Sequence, residues 1–352
     1  MTVDDEQRFT WITPTGHTLH SQRHRGRDPH PAPNRRMRWG TSTNRVGRPP
    51  AVYRCGSGYG PTMNGDDLRA RLSQRDEPVM LPGVWDPLSA RLAARAGFDA
   101  VFLSGYAVAG TLLGLPDIGA LTQTEMAEVA ARVCPAVPDT MVVIDADTGY
   151  GNALNVQRTV DLWQAAGATG LFLEDQVWPK RCGHMAGKQV VERGEWLAKL
   201  QAALDHRTHL FVTARTDARA PLGLDEAIER GRQAAGLGVD AVFVEAPESI
   251  AELERIAAAL PDVTLVANMV ETGRTPLLTP GELGDLGFRM ILSPLSGLFA
   301  AVKALGDAFE RLAEVGTLRD DLDRLVDFDA FTDLVGLPAA QAVDARYPGI
   351  RT

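Results

Sequence analysis

From about residue 78 onward the chain alternates short apolar runs with longer amphipathic ones. The apolar runs are Val79–Leu81, Ala100–Leu103, Met141–Ile144, Gly170–Leu173, Leu210–Ala214, Ala241–Val244, Thr264–Ala267 and Met290–Leu292. Each is short and nearly all apolar, the pattern of parallel strands buried on both faces. Between them, Pro87–Ala96, Gln123–Val133, Val156–Ala166, Gly194–Leu204, Leu224–Leu237 and Ile250–Leu260 carry helical periodicity. The segments RAGFDA, AAGAT and LGVDA share one device, a glycine that ends a helix just ahead of the next strand. Eight strand–helix units in roughly 230 residues predict an α/β fold of the (β/α)8 TIM-barrel type. The competing open, doubly wound sheet would use fewer strands and a glycine-rich phosphate turn after the first, where this chain reads LPGVWDP.

The residues that follow the runs favour the barrel. They are Ser104-Gly105, Asp145 with Asp147, Glu174, Arg215 with Asp217, Glu245, Asn268 and Ser293. A barrel brings such positions together at one mouth, where catalytic groups are found. Assorted loop caps have no reason to be so rich in acids. After Ser293 the pattern turns helical again, and Leu298, Val302, Leu305 and Phe309 form one apolar face. Extra apolar surface on the last helices predicts burial against another subunit, as a homodimer or homotetramer.

Charge divides the chain unevenly. The 352 residues carry a net charge of −9. Residues 1–62 hold ten arginines, no lysine and four acids, a net of +6 that leaves −15 on residues 63–352. An acidic body argues against a nucleic-acid partner. The first 62 residues show no hydrophobic period and read as a disordered basic extension: an inert tail, sequence upstream of a true start at Met63, or, less favoured, a basic arm that binds a partner. The domain reading is therefore an extension over 1–62, a catalytic barrel over 63–315 and a helical segment over 316–352. No apolar run has the length of a membrane span, and no signal-peptide core opens the chain. Three scattered cysteines, Cys55, Cys134 and Cys182, imply no disulfide framework and fit a reducing cytoplasm.

The chemistry concentrates in two segments. In VVIDADTGYG, Asp145 and Asp147 lie two residues apart at a strand end, and two carboxylates that close repel unless a cation or proton joins them. Mg2+ takes one or two carboxylates and keeps several waters, with Glu174 one strand over to complete an outer shell. The plainer alternative is an Asx turn with Asp145 as a cap. In EDQVWPKRCGHMAGKQVV, Cys182 sits among Lys180, Arg181 and His184, and positive neighbours stabilise a thiolate. Gly183 and Gly187 argue for a loop, so the cluster reads as a proton donor or nucleophile that closes over a substrate. A lone cysteine is otherwise a small buried hydrophobe. Arg215 either pairs with an acid such as Glu245 or grips a substrate carboxylate, and Asn268 with the ETGRTP turn adds neutral donors.

The order SG…LGLPD…DADTGYG…LEDQ…KRCGH…ARTDA…EAP…NMVE…TP…PLS resembles the isocitrate lyase/phosphoenolpyruvate mutase superfamily over about residues 64–330. EDQVWPKRCGHMAGK, ARTDARAP and GTLRDDLDRLVDFDAF are most similar to its 2,3-dimethylmalate lyase and petal death protein branch; methylisocitrate lyase shares the core motifs. The resemblance implies a barrel whose final helix is swapped between subunits in a dimer of dimers. It also implies Mg2+, with Mn2+ as a substitute, bound directly by Asp145 while Asp117, Asp147 and Glu174 act through water. The implied substrate is a small dicarboxylate or oxo-acid that chelates the metal. Cleavage of C2–C3 in a 2-hydroxy-diacid would leave an oxo-acid and a carbanion that Cys182 protonates.

The candidate catalytic set is Cys182, Lys180, Glu174 and Arg215, to which the position just past the Ser104-Gly105 turn adds Tyr106. Ser104, Gly105, Asp145, Gly183, His184, Arg215, Glu245 and Asn268 would contact substrate. Several carbon–carbon lyases of the family carry tyrosine where this chain has Phe102, so their base is not transferable, and Tyr106 becomes the candidate. The alternatives are an oxaloacetate acetylhydrolase and a carboxyvinyl-carboxyphosphonate phosphorylmutase. A barrel kept only as a binding scaffold would have a broken acid set, and this one is complete.

Overall fold

The computed structural model describes residues 63–74, 77–183 and 187–347, with backbone alone for three short strands nearer the N-terminus. The chain separates into two compact units, Met1–Arg48 and Pro49–Thr352. In the first, Thr2–Val3, Phe9–Ile12 and Thr18–Ser21 pair as a three-stranded antiparallel sheet. The remainder of the extension read as disordered lies outside the described residues.

The second unit is built on a closed barrel of eight parallel strands. They are β1 (Val79–Val84), β2 (Ala100–Leu103), β3 (Met141–Asp145), β4 (Gly170–Glu174), β5 (Phe211–Thr216), β6 (Ala241–Val244), β7 (Thr264–Asn268) and β8 (Phe288–Ser293). Each pairs with its neighbour in chain order, and β8 closes on β1 through Leu292 opposite Leu81. All eight apolar runs are strands, and several extend further into the polar residue that follows. The fifth begins at Phe211 rather than Leu210.

A strand's side chains alternate between two faces, and in a closed barrel one face is the interior. Val79 and Leu81, Ala100 and Phe102, Met141 and Val143, Phe172, Phe211, Ala241 and Phe243, Val266, and Met290 and Leu292 form one buried cluster inside the barrel. The intervening residues, such as Val101, Val142, Ile144, Leu171, Val212 and Val242, pack outward against the helices. Phe172 fills the middle of the interior, 5.1 Å from Phe102 and 5.9 Å edge-on to Phe243 between ring centroids. The helix Gly65–Gln74 adds Leu68 to this inner cluster.

The surrounding helices start where local chemistry dictates. Asp86, Thr122, Asn152 and Thr279 each accept a hydrogen bond from the backbone three residues on, and the residue there returns one, closing a capping box. Gly167, at φ 87°, ends the helix Ala153–Ala166 in the left-handed conformation that glycine adopts without penalty.

The helix Ser296–Val315 is the longest described, and only Leu298 on it is buried. Phe299, Val302, Leu305, Phe309, Leu312 and Val315 stay exposed, Val302 at 61% and Phe309 at 64%. Beyond it lie the helices Phe328–Leu334 and Leu337–Asp344, with Phe328 and Leu337 exposed. No described helix is long and apolar enough to cross a membrane.

Candidate active site

The alternation that builds the inner core also aims the strand ends. Counting by two from Met141 and Val143 reaches Asp145; from Phe172, Glu174; from Phe211, Thr213 and then Arg215; from Phe243, Glu245; from Val266, Asn268; from Phe102, Ser104. All lie at the carboxyl ends of their strands, and a cavity of about 50 Å³ opens there. Its polar lining is Ser104, Tyr106, Asp117, Asp145, Lys180, Cys182, Gly183, Arg215, Glu245 and Asn268. Phe102, Phe172, Phe243, Val270, Leu292, Pro294 and Leu295 supply the apolar remainder. Ten of the predicted site residues thus share one small space.

Asp147 and Glu174 are buried and do not line it. Asp147 takes a left-handed backbone at φ 44°, and Tyr150 follows at φ 60°. This tight turn folds the Asp147 N–H back to donate to Asp145 Oδ1 at 3.1 Å. Gly105 lies so close that a Cβ there would stand 2.9 Å from Asp145 Oδ2. His184 lies outside the described residues.

Lys180 shares the cavity with Cys182, and its buried ammonium is paired with Asp117 Oδ1 at 2.6 Å and Asp147 Oδ1 at 2.9 Å. Burial alone would strip its proton, but Asp147, Asp117, Asp145 and Glu174 together outweigh that and hold it charged well above the usual lysine range. One cation is not enough for these acids. Burial, with the added repulsion of Asp145 and Asp117, pushes Asp147 up to about 7 against the pull of Lys180. Glu174 rises well above the carboxylate range for the same first reason, despite Arg215.

Arg215 is the second centre of charge. Its Nε is 2.9 Å from Asp217 Oδ2 and 3.4 Å from Glu174 Oε2, and Nη2 is 3.4 Å from Glu245 Oε2. The guanidinium also stands 5.4 Å over the Phe243 ring. Asn268 Nδ2 donates to Glu245 at 3.3 Å. Pairing with Glu245 and exposure to the cavity are therefore both features of Arg215.

Cys182 is half-buried, and its N–H donates to the Asp117 carbonyl at 3.2 Å. Gln176 clamps the preceding residue at both ends, accepting from the Arg181 N–H at 3.0 Å and donating to its carbonyl at 2.8 Å. Tyr106 shares the cavity with Cys182. Burial first, then Cys182 and Asp117, push its phenol above the usual range.

The predicted set omitted Lys188, whose buried Nζ contacts Asp217 Oδ1 at 2.7 Å. No pattern in the sequence marks it, because its charged partner, Asp217, follows a different strand.

The acid-rich side of the cavity fits a divalent cation. Among the described residues, Asp147 Oδ2 and Glu174 Oε1 are buried with no hydrogen-bond donor. Such atoms are costly unless a cation or water meets them. No three Asp, Glu, His or Cys side chains among the described residues converge closely enough to cage an ion by themselves.

The family described as phosphoenolpyruvate phosphomutase matches residues 68–313. The chain belongs to the isocitrate lyase/phosphoenolpyruvate mutase superfamily. It is 45% identical to petal death protein of Dianthus caryophyllus over 79% of this chain and 87% of that one. It is 46% identical to the chloroplastic carboxyvinyl-carboxyphosphonate phosphorylmutase of Arabidopsis thaliana, over 80% and 84%. With 2,3-dimethylmalate lyase of Eubacterium barkeri it shares 43% identity over 80% and 96%. Among solved structures, oxaloacetate acetylhydrolase with 3,3-difluorooxalacetate superposes at a TM-score of 0.78, 34% identical over 82% of this chain and 98% of that one. Phosphonopyruvate hydrolase with oxalate and Mg2+ superposes at 0.73, 29% identical over 81% and 99%. Superfamily members of this kind are lyases and mutases, and this chain is an enzyme of that class.

The buried charge makes a pH prediction. Burial opposes ionisation of Asp217, but Arg215 and Lys188 outweigh it and hold the carboxyl down at about 2. A depressed folded value means the contribution is complete above the unfolded value near 3.8 and is lost as pH falls toward 2. Asp217→Asn should therefore flatten the loss of stability between pH 4 and 2, by roughly 2 kcal/mol over that window. Urea midpoints of both proteins across the window measure this; parallel curves would remove Asp217 from the acid response.

Proposed function

We propose that this enzyme is a Mg2+-dependent carbon–carbon lyase cleaving a 2-hydroxy dicarboxylic acid of the 2,3-dimethylmalate or methylisocitrate type. The observation that carries the reading is the convergence of a carboxylate cluster, a carboxylate-binding arginine and a thiol on one small cavity with an apolar wall. Asp145 would hold the metal directly, with Asp117, Asp147 and Glu174 reached through water. The bound ion would draw negative charge onto the substrate's C2 oxygen.

The chain's own groups do the rest. Arg215 and Asn268 bind the far carboxylate, with Glu245 fixing the orientation of both. Ser104 and Gly105 present donors to the carboxylate at C1. Lys180 keeps Asp117 and Asp147 in place. Cys182 delivers a proton to the carbon released by C2–C3 cleavage, the C2 hydroxyl proton would pass to a carboxylate of the Asp117, Asp147 and Glu174 group, and Tyr106 shares the cavity beside Cys182. Phe102, Val270, Leu292 and Pro294 exclude water from that carbon.

The direct test supplies purified enzyme and Mg2+ with 2-substituted malates, methylisocitrate and oxaloacetate, measuring pyruvate and oxalate separately. Pyruvate from a 2-alkylmalate is expected. Oxalate from oxaloacetate with no pyruvate from any malate would make the enzyme a hydrolase instead. Cys182→Ser should lower turnover by about 10²–10⁴-fold while substrate binding persists; near-normal turnover would take Cys182 out of the mechanism.

We also propose a homodimer or homotetramer, with a second copy covering the exposed face of Ser296–Val315. Six apolar side chains on one solvent face exceed what a monomer ordinarily leaves open. Light scattering should find a multiple of the 38.0 kDa chain, and Phe309→Glu should shift it toward monomer. A monomeric wild type would refute the assembly.

A further inference from the structure

Lys188 lies outside every residue assigned above to metal, substrate or proton transfer. Its side chain is 1% exposed. The ammonium donates to two acceptors, the Gly183 carbonyl at 2.5 Å and Asp217 Oδ1 at 2.7 Å. These belong to different elements: Gly183 directly follows Cys182 in the loop after β4, and Asp217 follows β5 and holds Arg215 through two further hydrogen bonds at 2.9 and 3.3 Å.

Gly183 touches the same cluster from the other side. A Cβ there would stand 2.6 Å from Glu245 Cδ and 2.8 Å from Arg215 Nη2. The Cys182–Gly183 backbone thus rests on Arg215 and Glu245 while its carbonyl is tied back by Lys188. The contacts form a closed circuit from Lys188 to Gly183, to Arg215, to Asp217 and back.

We propose that Lys188 is a positioning residue that sets Cys182 and Arg215 in one frame, so that the proton donor and the carboxylate clamp keep a constant separation. Its charge has a second effect. Arg215 is surrounded by Glu174, Asp217 and Glu245, three acids to one cation. Lys188 offsets one of them and leaves more of the arginine's field for an incoming carboxylate. Lys188 acts through its neighbours and touches no reacting atom.

The assignment of kcat and KM effects rests on the lyase reading, but the placement of Cys182 does not. Lys188→Met keeps the length of the side chain and removes its charge. In the full-length protein, iodoacetamide labelling of the Cys182 peptide, followed by mass spectrometry, should accelerate at least fivefold in the variant. In turnover, KM for the dicarboxylate should rise and kcat should fall, each by about tenfold. A merely structural lysine would lower the active fraction without changing KM or the labelling rate of folded protein.

An unchanged labelling rate in a folded variant overturns the proposal, whatever the substrate proves to be. Altered labelling with no turnover of any diacid by the wild type leaves the positioning role standing and rejects the lyase reading. Should Lys188→Met fail to fold, Lys188→Gln retains a donor for the Gly183 carbonyl and should show a smaller acceleration of labelling. No acceleration in that folded variant would equally overturn the proposal.

Discussion

Closure of eight parallel strands leaves one decision to each strand, which of its two faces looks inward. That choice is made by bulky apolar residues such as Phe102, Phe172, Phe243 and Met290, which fill the interior. Once they are placed, the polar residue two or four positions later has no freedom. Asp145, Glu174, Arg215, Glu245 and Asn268 reach the mouth because hydrophobic residues earlier in the same strand packed inside it. A one-residue slip in any strand would bury its core face outward and remove its polar group from the site together.

Charge then organises what the barrel has gathered. Two centres share the mouth, an acid-rich one around Lys180 and another around Arg215. Glu174 lies between them and is influenced by both cations. Burial makes each of these groups expensive as an isolated ion, so their mutual arrangement is held more firmly than hydrogen bonding alone would achieve. The apolar side of the cavity carries no such obligation. It is where size and shape can change without disturbing the electrostatics.

The fold was largely legible in the sequence, since buried parallel strands write their apolar runs openly and glycines mark the helix ends. The polar series at the strand ends was legible for the same reason. What the chain order concealed was partnership. Lys180 stands two residues from Cys182 and looked like its electrostatic companion, yet its ammonium serves Asp117 and Asp147. Proximity along a loop says little about direction once the loop turns. Nothing in the chain order marks Lys188, because Asp217, its charged partner, is 29 positions away. Tyr106 follows β2 closely in the chain, but its nearness to Cys182 and Asp117, which with partial burial raises its phenol above the usual range, shows only in the fold.

The missing side chain at Gly183 has a meaning for descent. Because Glu245 and Arg215 occupy the volume a Cβ would need, the loop after β4 and the ends of β5 and β6 are not independent units of inheritance. A lineage that enlarged residue 183 would first have to shorten residue 245 or release residue 215, and each intermediate would break the pairing of Arg215 with Glu245. The apolar wall is free of that interlock. Divergence in what the enzyme accepts is therefore channelled toward Val270, Leu292 and Pro294, while the chemistry it performs stays fastened to a glycine.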